Sequence, residues 1–162
     1  MEAGRMDIQF EKTDQTDKGY FWELYELSYR TVIEDQFGGW SESQQLCAFD
    51  RKWRQRGFRK IMLNGQLAGG IWLKESIDYH EITEIQIHPD FQHCGIGSAI
   101  LKQEIAKATK QGKPLKLSVL FKNPAYFLYQ KLGFQVISQD NFQYHMEFNT
   151  QKSTVRLRVG SV

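Results

Sequence analysis

Apolar side chains follow two rhythms along this chain, one of period two and one of spacing three and four. Residues 6–10 alternate, with Ile8 and Phe10 on one face, which predicts a first strand. Beyond it Phe21, Leu24, Tyr25, Leu27, Ser28, Thr31 and Val32 follow the helical spacing, with Thr16 or Asp17 as the cap. Tyr20, Phe21, Trp22, Tyr25 and Tyr29 make this the most aromatic stretch of the chain. They are core residues, or one or two of them line a substrate pocket. Phe37-Gly38-Gly39-Trp40 breaks the helix. Ser41, with Gln44 three residues later, reads as a capping box for a second helix reaching about Trp53. Two helices joined at a glycine break suit a gate over a pocket.

The alternating rhythm returns over residues 58–63 and 67–73, on either side of Asn64-Gly65. Asn-Gly between apolar runs predicts an antiparallel hairpin. Gly69-Gly70 in the return strand points to a bulge or a close backbone approach. A fourth strand is predicted over residues 79–87, and its parity is irregular. Ile82 is even, whereas Ile85 and Ile87 are odd, so one face cannot hold all three. Either a bulge lies between Ile82 and Ile85, or the strand is buried on both faces.

A helix is predicted from Ile96 to about Thr109, with Ile96, Ile100, Leu101, Ile105 and Ala108 as its apolar stripe and Gly112 as the stop. Residues 115–120 form a short strand. Asn123 caps a short helix with Pro124 in its first turn and Gly133 at its end. Residues 134–137 and 142–148 read as the last two strands. The order is β-α-α-β-β-β-α-β-α-β-β, an α/β (α+β) chain. Residues 1–149 form one domain. A C-terminal tail, 150–162, carries Arg156 and Arg158, and extends the sheet or stays mobile.

Composition narrows the function classes. At 162 residues with 41% hydrophobic and 14% aromatic residues, the chain is long and apolar enough for a real core. A formal net charge of +2 gives no case for nucleic acid or for strongly acidic partners. No apolar run suits a membrane span, and the polar N-terminus is not that of a signal peptide. Cys47 and Cys94 have neither metal-ligand nor disulfide spacing, which suits a reducing cytoplasm. His80, His88 and His93 are not paired at metal-ligand spacing either, so no metal is expected; they read as surface or loop residues.

The chemistry-bearing stretch is the junction after the fourth strand. Gln92-His93-Cys94-Gly95-Ile96-Gly97-Ser98 is a glycine turn of the form Gln-x-x-Gly-x-Gly that runs straight into a helix. The first amides of a helix lack intrahelical partners, and the dipole adds positive charge there. Glycines let a phosphate approach the backbone. A phosphorylated ligand, a pyrophosphate above all, is the functional reading; a turn needed only for packing is the other. The stretch is not a P-loop, which ends in Gly-Lys-Ser/Thr, and not the dinucleotide fingerprint.

This turn, in this order of elements, resembles that of the GNAT family of acetyl-CoA-dependent N-acetyltransferases. The segment 123–134 carries a second likeness: Asn123, Ala125, Leu128-Tyr129 and Gly133-Phe134 match that family's Asn-x-Ala, Leu-Tyr and Gly-Phe positions. The resemblance covers residues 6–148. Phe37-Gly38-Gly39-Trp40-Ser41 also looks like a bacterial subgroup of small GNAT proteins.

The resemblance implies a mixed, mostly antiparallel central sheet of about seven strands with flanking helices, and a bulged fourth strand splayed from the fifth. It implies acetyl-CoA as co-substrate. The cofactor arm would run along the backbone of Ile85 and Ile87, and Asn123 would contact it. The amides of Gln92, His93, Cys94, Gly95, Ile96, Gly97 and Ser98 would hold the pyrophosphate. Cys94 departs from the family, which often has a basic residue there. The change is expected to weaken phosphate affinity and sets a thiol near a thioester. The acceptor would be a primary amine of a small molecule or peptide. Dimers are common in the family, so a homodimer is compatible with it.

Acetyl transfer needs a neutral amine, a stabilised oxyanion and a protonated leaving thiolate. A strand amide such as that of Ile85 serves the oxyanion. A phenol of pKa ~10 can protonate a thiolate whose thiol has pKa ~8.5. Tyr129 matches the family's general-acid position, with Tyr126 as the fallback. Glu84, on the fourth strand, is the candidate base, with Glu81 nearby. A non-catalytic acyl-CoA-binding regulatory domain of the same fold is the alternative, in which neither side chain does chemistry.

Overall fold

The predicted order of elements is realised in a computed structural model that describes residues 5–150. Seven strands form one mixed sheet in the order β1-β2-β3-β4-β5-β7-β6. They are β1 (Ile8–Lys12), β2 (Arg59–Leu63), β3 (Gln66–Glu75), β4 (His80–Ile87), β5 (Leu115–Leu120), β6 (Gln135–Gln139) and β7 (Gln143–Phe148). The helices are α1 (Lys18–Phe37), α2 (Glu42–Arg54), α3 (Ile96–Gln111) and α4 (Ala125–Leu132). No described helix is long and apolar enough to cross a membrane. Residues 151–162, nearly all of the expected tail, lie outside the described residues. Thr150 is buried, and its hydroxyl donates to the Lys113 carbonyl at 3.0 Å. The chain divides into two compact units. One runs to Trp72 and takes in Glu84–Ile96; the other is Leu73–Thr83 and everything from Gly97.

In the first unit β1 pairs antiparallel with β2, and β2 with β3. Asn64 and Gly65 turn the hairpin with φ of 49° and 80°, the positive values that a tight two-residue turn requires. Both readings of Gly69-Gly70 hold. The β2–β3 register shifts so that Ile61 faces Gly69 while Met62 faces Leu67, which makes Ala68 the extra residue. One residue on, a Cβ on Gly69 would lie 2.1 Å from the Gln86 carbonyl oxygen. Only glycine lets β3 and β4 run this close.

Helix α1 begins differently from expectation. Asp17, one of the two expected caps, stands at the N-cap of α1, but its carboxylate bonds backwards: it accepts from the Asp14 amide at 2.8 Å, while Asp14 accepts from the Thr16 amide at 2.8 Å. This capping box closes a short 3-10 turn ahead of α1. The helix stops at Gly38, whose φ is 83° and whose amide donates to Glu34. Ser41 caps α2 as expected, accepting from the Gln44 amide. Leu27 does not join the apolar face of α1. Two residues past Tyr25 it lies far round the helix, and it is 50% exposed. Phe21, Tyr25, Phe49, Trp53, Phe58 and Trp72 pack into one aromatic core, flanked by Tyr20, Trp22, Tyr29 and Trp40. Core packing therefore takes most of the aromatic stretch.

In the second unit β5 pairs antiparallel with β7, and β7 with the edge strand β6. β4 runs parallel to β5 from His80↔Leu115 to Ile82↔Leu117, where the pairing ends. Ile100, Leu101 and Ala108 are this unit's buried stripe on α3. Glu104, on the same stripe, is also buried, and burial raises its pKa.

β4 resolves its parity conflict without either expected device. Burial alternates through all eight residues, with no break of the kind an inserted residue makes. His80, Ile82, Glu84 and Gln86 face inward, while Ile85 and Ile87 are half-buried on the other side. The apolar pattern looked irregular because two inward positions carry polar side chains. The bulge expected from the family is thus not needed to explain this strand. His80, read from the sequence as a surface residue, is buried for the same reason of register, and its Nε2 lies 2.5 Å from Gln111 Oε1.

Candidate functional site

The glycine turn is pinned from β3 and β4. The His88 amide donates to the carbonyl of the bulged Ala68 at 2.8 Å. His88 Nδ1 accepts from the Asp90 amide at 3.2 Å, capping a 3-10 turn over Pro89–Phe91. Tyr20 stacks on the His88 ring with centroids 6.1 Å apart. Burial and the nearby Glu23 and Asp90 push the Tyr20 phenol up to about 12, so it stays protonated. His93 and Gly95 then take positive φ, 64° and 81°. Those two left-handed residues aim the chain into α3, which starts at the buried Ile96. Residues 92–95 are exposed. A Cβ on Gly95 would meet only Met6 Cε, at 3.8 Å. The open turn and the first-turn amides of Ile96, Gly97 and Ser98 fit an anionic phosphate.

Gln92 departs from the expected role. Its amide already donates to the Pro89 carbonyl at 3.2 Å, and its side chain donates to the Ile87 carbonyl at 3.1 Å. Gln92 braces the turn against the end of β4. Cys94 is exposed, its thiol 3.6 Å from the Gln92 carbonyl. Ile85 and Ile87 lie beyond the last β4–β5 pair, which ends at Ile82.

Glu84 sits at the centre of a hydrogen-bonded group that the sequence did not announce. The residue is 5% exposed. Its Oε2 accepts from the Tyr29 hydroxyl at 2.7 Å and from Gln86 Nε2 at 3.0 Å. Its Oε1 holds the Lys52 ammonium, which lies 5.8 Å from the centroid of the Tyr25 ring. Burial and the Glu84 charge push the Tyr25 phenol up to about 12, and its hydroxyl donates to Gln45 at 2.8 Å. So α1 supplies Tyr25 and Tyr29, α2 supplies Lys52, and β4 supplies the carboxylate. The irregular parity of β4 was the one signal in the sequence that marked Glu84 and Gln86 as inward. Glu81, at odd parity, faces the opposite side of the strand.

The second unit holds Asn123 and Tyr129. Asn123 Oδ1 accepts from the Ala125 amide at 3.0 Å, the capping role read from the sequence. Tyr129 is 8% exposed and meets Phe134 edge to face, with centroids 6.0 Å apart. Tyr126 packs instead against Phe127 and Tyr144. Among the described residues no group of three or more His, Cys, Asp or Glu is placed to hold a metal ion.

A family model described as an acetyltransferase (GNAT) domain matches residues 54–136. The chain is 33% identical over 79 residues to a [ribosomal protein bS18]-alanine N-acetyltransferase of Haemophilus influenzae, covering 48% of this chain and 54% of that protein. It is 30% identical over 128 residues to an uncharacterized N-acetyltransferase of Methanocaldococcus jannaschii, covering 71% and 55%. The chain thus spans about half the length of these curated relatives. In fold it matches the PaiA N-acetyltransferase of Thermoplasma acidophilum, solved in complex with coenzyme A. That match has a TM-score of 0.63 at 22% identity, over 88% of this chain and 99% of the other. With half of its length matched by the domain model, the chain belongs to the GNAT acetyltransferase family.

Proposed function

We propose that this chain transfers an acetyl group from acetyl-CoA to a primary amine, on a small molecule or a peptide, by direct attack in a ternary complex. The observation that carries the reading is Glu84, a buried carboxylate that already holds an ammonium one residue before Ile85. Acetyl-CoA supplies the acetyl thioester. The amides from His93 to Ser98 hold its pyrophosphate, and the backbone of Ile85 and Ile87, with Asn123, guides its arm. Glu84 draws the acceptor's ammonium in and takes its proton. The neutral amine attacks the thioester carbonyl, and the Ile85 amide stabilises the oxyanion; as the C–S bond breaks, Tyr129 protonates the departing thiolate, and its phenolate takes the second proton from the new amide nitrogen through water. The Haemophilus relative is named for an alanine of a ribosomal protein, which supports a peptide amine as one acceptor class. We place the reaction in the cytoplasm, where the exposed thiols of Cys47 and Cys94 stay reduced.

The second reading is an acyl-CoA-binding domain without turnover. The Lys52 ammonium on Glu84 favours it, because a carboxylate neutralised by a lysine of its own chain can serve structure alone. Release of CoA thiol during incubation with acetyl-CoA and a panel of primary amines separates the two. Amine-dependent release supports the transferase. Acetyl-CoA binding with no release under any amine leaves the regulatory domain.

A further inference from the structure

We infer that the Glu84 carboxylate, with Tyr29 and the face of Tyr25, is a seat for a primary alkylammonium, and that Lys52 fills this seat until the acceptor displaces it. The word acceptor rests on the transferase reading above; the seat itself does not.

The three donors on Glu84 are not equivalent. Gln86 is 4% exposed and lies on the same strand, and Tyr29 is packed against the aromatic core. Neither can leave without repacking. Lys52 can. Its side chain is 38% exposed, against 4% for that of Glu84, and it sits in the last turn of α2 on a flexible stem. When it swings into water, Oε1 is left without its charged partner, inside a protein and beside an aromatic face. Such a site takes a cation.

The geometry also selects among cations. Oε2 already carries two donors, so only Oε1 is open to a newcomer. A guanidinium gains most from two parallel bonds to both oxygens, which this carboxylate cannot offer. A compact ammonium needs one. A quaternary ammonium has no N–H to give. The seat is therefore built for primary amines, and Lys52 is the internal example of its ligand.

The test uses the full chain, Lys52→Met and the double variant Lys52→Met/Glu84→Gln, with n-butylammonium chloride as probe and butylguanidinium and tetramethylammonium as controls. If Lys52 holds the seat in about nine molecules of ten, removing its charge tightens butylammonium binding about ten-fold. Calorimetry should show that gain in Lys52→Met, its loss in the double variant, and no gain for either control cation. Equal affinity in wild type and Lys52→Met, or binding that survives Glu84→Gln, overturns the proposal. Should Lys52→Met not fold, the wild-type chain labelled with 15N-lysine answers the same question. Saturating butylammonium should move the Lys52 ammonium signal to that of solvent-exposed lysines; an unmoved signal contradicts displacement. Butylammonium binding without acetyl-CoA binding would keep the seat and remove the transferase. Turnover with the same KM for butylamine in wild type and Lys52→Met would do the reverse.

Discussion

Lys52, in the last turn of α2, holds its ammonium against the carboxylate of Glu84, in the middle of β4. The pair joins an exposed cation to a buried anion. Removing one partner of a fully buried pair costs roughly 3–5 kcal/mol, and the solvent-facing side of this one reduces that. Lys52→Met should therefore lose about 1–3 kcal/mol of unfolding free energy, measured by urea denaturation. A loss below the error of the measurement would mean that Tyr29 and Gln86 alone satisfy Glu84.

Tyr129→Phe removes one hydroxyl from a buried ring and leaves its contact with Phe134 in place. Turnover should fall about 10²- to 10⁴-fold, the range for a positioned general acid. Acetyl-CoA affinity should stay at the wild-type value. Steady-state kinetics beside calorimetry separates the two effects, and unchanged turnover would remove Tyr129 as the acid.

Gly95 has φ of 81°, in the left-handed region where a Cβ costs about 1–2 kcal/mol. Gly95→Ala should bend the turn and weaken acetyl-CoA binding. Gly97→Val should abolish that binding by crowding the first turn of α3, where the phosphate is to meet the backbone. Circular dichroism should report a folded chain in both. Wild-type affinity in Gly97→Val would contradict the placement of the pyrophosphate.

Glu104 makes a prediction about pH. Burial raises its pKa, partly offset by Lys107 and His80, with Glu75 adding to the rise. A carboxyl whose folded pKa lies above its unfolded one binds more protons when folded, so it destabilises the protein at neutral pH. That penalty fades as pH falls through the raised folded pKa toward the unfolded value. Glu104→Gln should raise the melting temperature at pH 7, with a gain that shrinks as the pH is lowered toward 4. A gain independent of pH would assign the effect to packing.

Much of the fold was legible because it rests on local chemistry. Asn64-Gly65 forces a hairpin wherever it sits between apolar strands, and Gly38, Ser41 and Asn123 end or begin helices by bonds to their own neighbours. The turn at residues 92–98 was legible for the same reason: its geometry lies in the backbone. What stayed hidden depends on partners distant in sequence. Nothing near Lys52 says that it will meet Glu84, 32 positions later, and nothing near Tyr29 points to the same carboxylate. Apolar counting along β4 failed because a buried polar residue is invisible to a rule that looks for apolar ones. Gln92 shows the converse: the motif located it correctly, but its amide and side chain are spent on Pro89 and Ile87.

In the proposed function the turn from His93 to Ser98 binds the pyrophosphate of acetyl-CoA. Calorimetric titration of the purified chain with acetyl-CoA, with ADP and NAD as controls, measures that binding. Saturable binding of one acetyl-CoA per chain is expected, with weaker binding of ADP and none of NAD. No heat with acetyl-CoA, under conditions where the chain is folded, would make the turn a packing device and remove the basis for acetyl transfer.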